Sequence, residues 1–96
     1  MSQKKRLSAT VHGYVQGVSF RYYTQRAALR LGLTGWVANQ RDGTVKVVAE
    51  GEEADLQTFL DFLHEGSPAA RVQRVAETWS EAEGAFRNFS VRFIDG

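Results

Sequence analysis

A strand-like run enters a helix-like run through a turn that holds two glycines, and this joint near the start of the chain limits the topologies open to it. Leu7, Ala9 and Val11 alternate with Ser8, Thr10 and His12, the two-residue period of a half-buried strand. Phe20, Thr24, Ala27 and Leu31 then recur at helical spacing, with Tyr23 and Ala28 widening the stripe and Gly32 placed to stop it. A helix that follows a strand this closely has to cross back over one face of the sheet before the chain adds its next strand.

The rest of the chain continues the alternation. A second strand is predicted over residues 33–39, Asp42-Gly43 is a hairpin signal, and the run from Thr44 to Glu50 puts Val45, Val47 and Ala49 on one face. Leu56, Phe59, Leu60 and Leu63 mark a second helix, with Glu52, Glu53 and Asp55 favouring its N-terminus and Gly66 with Pro68 ending it. A strand over residues 72–79 follows, its register left open because Val72 and Val75 differ in parity. A polar loop over residues 80–87 leads to a last strand with Phe89, Val91 and Phe93 on one face. The order is that of an α+β, ferredoxin-like split β-α-β sandwich, βαββαβ plus a short terminal strand, with two helices on one face of a mainly antiparallel sheet. The 96 residues are read as a single domain.

Charge is unevenly spread. Residues 1–41 hold seven Lys and Arg and no acid, whereas residues 42–96 hold five bases and eleven acids, so a net charge of +1 hides a polarised chain. Most of the basic half has a plain explanation: residues 1–5 read as a flexible basic arm, with Arg6 at its end, and Arg26 and Arg30 lie one turn apart on an exposed helix face. Arg21 does not fit it. A cation in the first helical turn opposes the helix dipole unless an anion sits between them.

An anion is what the turn Gly13-Tyr-Val-Gln-Gly-Val-Ser-Phe-Arg21 is suited to hold. Gly13 and Gly17 can take positive φ and let backbone N–H groups converge, the helix start adds unpaired donors, and Ser19 is placed to cap it. The spacing fits neither the Walker A pattern nor Gly-x-Gly-x-x-Gly, which argues against a nucleotide. With no cysteine, the chain has no disulfide, thiol nucleophile or thiolate metal site. Parity puts His12 on the strand face away from the core, as a solvated residue, and His64 falls in the last turn of the second helix. Two isolated histidines make no metal site. Trp36 and Trp79 are read as packing residues. No apolar run is long enough to cross a bilayer or to act as a secretion signal, so a cytoplasmic protein with no membrane partner is expected.

Two segments together resemble a known family, the acylphosphatases: Gly13 to Arg21 is similar to its phosphate-loop motif, and Gly35-Trp-Val-Ala-Asn39 with Asp42-Gly43-Thr44-Val45 to its second motif. The resemblance covers nearly the whole chain. It implies hydrolysis of the carboxyl-phosphate bond of small acyl phosphates, with no metal and no cofactor, by a monomer that inorganic phosphate or sulfate inhibits competitively. It further implies that the backbone N–H groups of Val15, Gln16, Gly17, Val18, Ser19 and Phe20 cradle the phosphoryl group, that Arg21 binds it, and that Asn39 orients the attacking water. Two other readings compete. An RNA-recognition module shares the element order, but the third strand, Thr44 to Glu50, lacks the exposed aromatics such a module stacks on bases, so no nucleic-acid partner is expected. A non-catalytic regulatory domain would keep the same turn.

Overall fold

The structure is a computed structural model and describes residues 3–94. Its elements are β1 (Lys4–Tyr14), α1 (Phe20–Arg30), β2 (Thr34–Asn39), β3 (Val45–Glu52), α2 (Glu53–Glu65), β4 (Arg71–Glu81) and β5 (Phe89–Ile94). They form one five-stranded sheet in the order β4-β1-β3-β2-β5. All neighbours are antiparallel except β2 and β5, which run parallel. Inserting β3 between β1 and β2 is what splits the β-α-β unit, and it brings the exits of β1 and β2 to the same end of the sheet.

The alternation on the central strands decides where the core lies. Leu7, Ala9 and Val11 of β1, Val37 of β2, and Val45, Val47 and Ala49 of β3 are all buried, under Phe20, Ala27 and Ala28 of α1 and Leu56, Phe59, Leu60 and Leu63 of α2. Phe59 meets Phe89 edge-on, with ring centroids 6.0 Å apart. α1 ends in a full Schellman turn: Gly32, at φ 69°, donates to Leu29, and Leu33 donates to Ala28. Tyr23 is on the rim of α1 and not in its stripe, at 38% exposure.

The parity conflict in β4 has a local cause. His12 pairs with Arg74 but Gly13 pairs with Val72, so Gln73 is an extra residue and the strand changes phase there. Val72 and Val75 therefore both pack against the core. Gly13, at φ 133°, is the hinge of this bulge, because a Cβ there would collide with the backbone carbonyl of Arg71.

Three expectations are corrected. Lys4 and Lys5 are not part of an arm: both are in β1, Lys4 opposite Glu52 and Lys5 opposite Gly51 and Glu81, and Arg6 Nε is 2.8 Å from Glu50 Oε2. Glu50 is nearly buried, and its pairing draws the basic end of the strand into the sheet; residues 1 and 2 lie outside the described residues. The shared face of β5 is not uniformly buried, since Phe89 is covered but Phe93 is 86% exposed. β5 lies at the sheet edge, and past Phe89 it runs beyond the cover of α2. His12 is half-buried beside Arg74, with Nε2 3.1 Å from the guanidinium, and is not simply solvated. Trp79 packs against the core, and Arg92 lies over the Trp36 ring at 4.7 Å. Among the described residues, no helix is long and apolar enough to cross a membrane.

Candidate active site

The turn between β1 and α1 is pinned at both ends by the core. Val15 and Phe20 are each 1% exposed, and Val18 packs on the same cluster, so the intervening backbone has little freedom. Within it, Gly17 has φ 74° and Ser19 has φ 61°. Ser19 is, among the described residues, the single non-glycine with positive φ, a conformation that costs on the order of 1 kcal/mol. It occupies the N-cap position of α1 but makes no side-chain cap, contrary to the cap expected of it. In the left-handed region it bends the backbone into the helix start and leaves the donors of the first turn unshared. Among the described residues, no backbone or side-chain acceptor takes a hydrogen bond from the N–H groups of residues 15–20.

Side chains outside the turn hold its shape. Ser67, 2% exposed just after α2, donates to the Val18 carbonyl at 2.7 Å. Gln16 Nε2 donates to the carbonyls of Gln40 and Thr44 at 2.7 and 2.9 Å, tying the turn to the β2–β3 hairpin. That hairpin is closed by Asp42, which accepts from the Thr44 hydroxyl at 2.6 Å and from its N–H at 3.0 Å. These two bonds, the hydroxyl's first, lower the Asp42 pKa from its ordinary value.

Arg21 is half-buried at the first turn of α1, and its Nη1 donates to the Arg92 carbonyl of β5 at 2.7 Å. A carbonyl orients the guanidinium without neutralising it, and among the described residues no carboxylate pairs with it. Asn39 is the last residue of β2, half-buried, with its backbone paired to Val45 and Ile94. Among the described residues its side-chain amide has no protein partner.

These groups line one cleft of about 430 Å³. Of the residues singled out in the sequence, Val15, Gly17, Ser19, Phe20, Arg21 and Asn39 border it, joined by Tyr22, Gln25 and Val91. Gln16 and Val18 do not line it: the first turns its side chain to the hairpin and the second to the core. No sequence signal identified Ser67, Tyr22 or Val91 as parts of the site, and the turn motif that marked Gln16 gave no hint of its side-chain tie to the hairpin, because these roles depend on which distant segments meet there. Among the described residues, no group of three or more His, Cys, Asp or Glu is arranged to hold a metal ion.

Fold and cleft together define a ferredoxin-like α+β protein whose donor-lined turn suits an oxyanion. A sequence model of the acylphosphatase family matches residues 7–91. The chain is 48% identical to an acylphosphatase of Salinibacter ruber, over 93% of its own length and 94% of that protein's, and 47% identical to one of Rhodococcus jostii, over 92% and 99%. The crystal structure of an acylphosphatase from Bacillus subtilis superposes with a TM-score of 0.89 at 39% identity, covering 92% of this chain and 98% of that one. The chain belongs to the acylphosphatase family, hydrolases that cleave the carboxyl-phosphate bond of acyl phosphates.

Proposed function

We propose that this cleft hydrolyses acyl phosphates by positioning and charge stabilisation alone, with the N–H groups of residues 15–20 and Arg21 holding the phosphoryl group and Asn39 aligning the water. The observation that carries this reading is the convergence, in one cleft, of the turn, an arginine oriented by a carbonyl and an asparagine amide with no other protein partner among the described residues. The chemistry asks for little more. The leaving group is a stable carboxylate, and phosphoryl transfer passes through a loose transition state whose charge sits on the equatorial oxygens, so donors fixed around those oxygens supply most of the stabilisation. Arg21 suits this because its guanidinium presents several donors in a fixed plane. Asn39 offers both an acceptor and a donor, enough to orient a water without removing its proton beforehand. The same reading takes the enzyme to be a cytoplasmic monomer, with inorganic phosphate or sulfate as a competitive ligand of the turn.

Turnover of acetyl phosphate in excess EDTA tests it. Full activity is expected, together with almost no hydrolysis of alkyl phosphomonoesters, whose alkoxide leaving group needs a general acid, since the described lining offers no His, Asp, Glu or Lys and its one phenol, Tyr22, is tied to Arg26. Activity lost on chelation and restored by a divalent metal would overturn the reading.

A further inference from the structure

Ser67 acts on the turn from behind. Its hydroxyl donates to the Val18 carbonyl at 2.7 Å, and the residue is buried in the loop that follows α2. Its own backbone is fixed on both sides. The N–H of Gly66 donates to the Phe62 carbonyl at 2.8 Å, that of Ala70 donates to the Ser67 carbonyl at 2.9 Å, and Pro68 biases Ser67 toward extended backbone. The loop lies directly against the end of the turn, since a Cβ on Gly66 would come within 2.9 Å of the Phe20 ring. A hydroxyl held this firmly can set the direction of the carbonyl it binds.

A planar trans peptide points its C=O and its N–H in opposite directions, and none of the described peptides is cis. Drawing the Val18 oxygen toward Ser67 therefore turns the Ser19 N–H the other way, toward the cleft that Ser19 lines and Val18 does not. Among the described residues that N–H has no acceptor. The backbone around it alternates in sign, with Gly17 at φ 74°, Val18 at negative φ and Ser19 at φ 61°, a turn conformation of the kind that gathers successive N–H groups around an anion. The arrangement needs a lock. Rotating the Val18–Ser19 peptide about its Cα–Cα axis would carry Ser19 from the left-handed region to negative φ, where non-glycine residues are at ease, and would turn its N–H out of the cleft. We propose that Ser67 is a positioning residue for phosphoryl binding, its hydroxyl locking the Val18–Ser19 peptide with the Ser19 N–H toward the anion. This rests on the phosphoryl group occupying the turn as set out above.

The test uses inorganic phosphate as the probe and acetyl phosphate as the substrate, on the full chain. Ser67→Ala should raise the phosphate inhibition constant and KM together, each about tenfold, the scale of one hydrogen bond to a charged group. Its kcat should fall less than about threefold, because a donor to the phosphoryl oxygens binds them before the transition state as well as in it. Ser67→Thr keeps the hydroxyl and should restore most of the lost affinity. Amide chemical shifts supply a readout that mere loosening of the loop does not move. Saturating phosphate should shift the Ser19 amide strongly in the unsubstituted protein and weakly in Ser67→Ala, while the Gly17 amide shifts in both. A folded Ser67→Ala protein with an unchanged phosphate inhibition constant and an unchanged Ser19 shift would overturn the lock while leaving the phosphoryl assignment standing. Saturating phosphate that moves no amide of residues 15–20 in the unsubstituted protein would overturn that assignment, and the lock with it.

Discussion

Gln16 Nε2 donates to the Thr44 carbonyl at 2.9 Å, so a side chain from the turn before α1 grips the hairpin that begins at the end of β2. The same nitrogen reaches the Gln40 carbonyl at 2.7 Å. Asn39 is the residue immediately before that contact, and its distance from the turn is therefore set by a bond and not by sheet packing alone. Two strands that leave the sheet at the same end are brought together by topology. Holding the proposed phosphoryl and water sites within the tolerance that water attack requires takes a direct tie.

Gln16→Ala should thus act on the reaction more than on anion binding. The backbone N–H at position 16 survives the substitution, so phosphate inhibition should change little, while kcat falls roughly tenfold as the hairpin relaxes. Two part-buried carbonyls lose a donor, which should lower stability by about 1–2 kcal/mol. Gln16→Glu should be worse on both counts, since it sets a carboxylate against two carbonyl oxygens. Steady-state kinetics and urea unfolding of both variants check this; a Gln16→Ala protein with unchanged kcat would mean that the Asp42–Thr44 closure positions Asn39 by itself.

Most of the architecture was legible because it rests on periodicity. Leu56, Phe59, Leu60 and Leu63 define one helix face in sequence and in space, and Val45, Val47 and Ala49 lie where their alternation puts them. What was not legible depended on events between segments. The phase change at Gln73 needs Gly13 opposite it, and Arg6 looked like part of a solvated arm because its partner Glu50 is 44 residues away. Phe93 alternates correctly with Phe89 but has no layer above it. In the site, Gly17, Arg21 and Asn39 announced themselves through turn chemistry, a charge against the helix dipole and position in a motif. Ser67 carries no comparable mark, since its one contribution is a hydroxyl aimed at a carbonyl 49 residues earlier.

Glu50 should govern part of the acid limit of stability. Its burial pushes the carboxyl pKa up, but the Glu83 N–H, the Arg6 guanidinium and the Gly84 N–H together outweigh burial and leave it lowered. A carboxyl lowered in the folded state contributes stability that is complete above the unfolded value and lost as pH falls through the folded value. Glu50→Gln should therefore unfold more easily at neutral pH, by about 1–3 kcal/mol, because Arg6 and two N–H groups lose a charged acceptor. Its melting temperature should also depend less on pH below about 4, where carboxylates titrate. Thermal melts between neutral and acid pH decide this, and parallel curves for the two proteins would contradict it.

Thr24 offers a gain in stability. It is fully buried in the apolar stripe of α1, and among the described residues its hydroxyl has no hydrogen-bond partner. Thr24→Val keeps the β-branched shape and removes the unpaired group, so it should stabilise the fold by about 1 kcal/mol. Calorimetry would show a raised melting temperature. A lowered one would mean that the hydroxyl bonds a buried water.

Arg21 and Asn39 should leave different kinetic marks if they do different jobs. On the proposed assignment Arg21 holds the phosphoryl group before and during reaction, so Arg21→Ala should weaken substrate binding, abolish most phosphate inhibition and lower kcat together. The fold should survive, because the arginine's one strong bond is to the Arg92 carbonyl at the sheet edge. On the same assignment Asn39 meets the substrate only through the water. Asn39→Ala should lower kcat by roughly 10²-fold or more while KM and the phosphate inhibition constant barely move, the pattern of an interaction realised in the transition state. Phosphate bound as proposed would contact the turn and the guanidinium and would not need that water, so anion binding and turnover should separate cleanly in this variant. Measuring KM, kcat and phosphate inhibition for both proteins, with a melt to confirm folding, tests the division. Near-normal kcat in Asn39→Ala would reduce Asn39 to the closing residue of β2, and equal losses of phosphate affinity in both variants would place its amide on the phosphoryl group and not on the water.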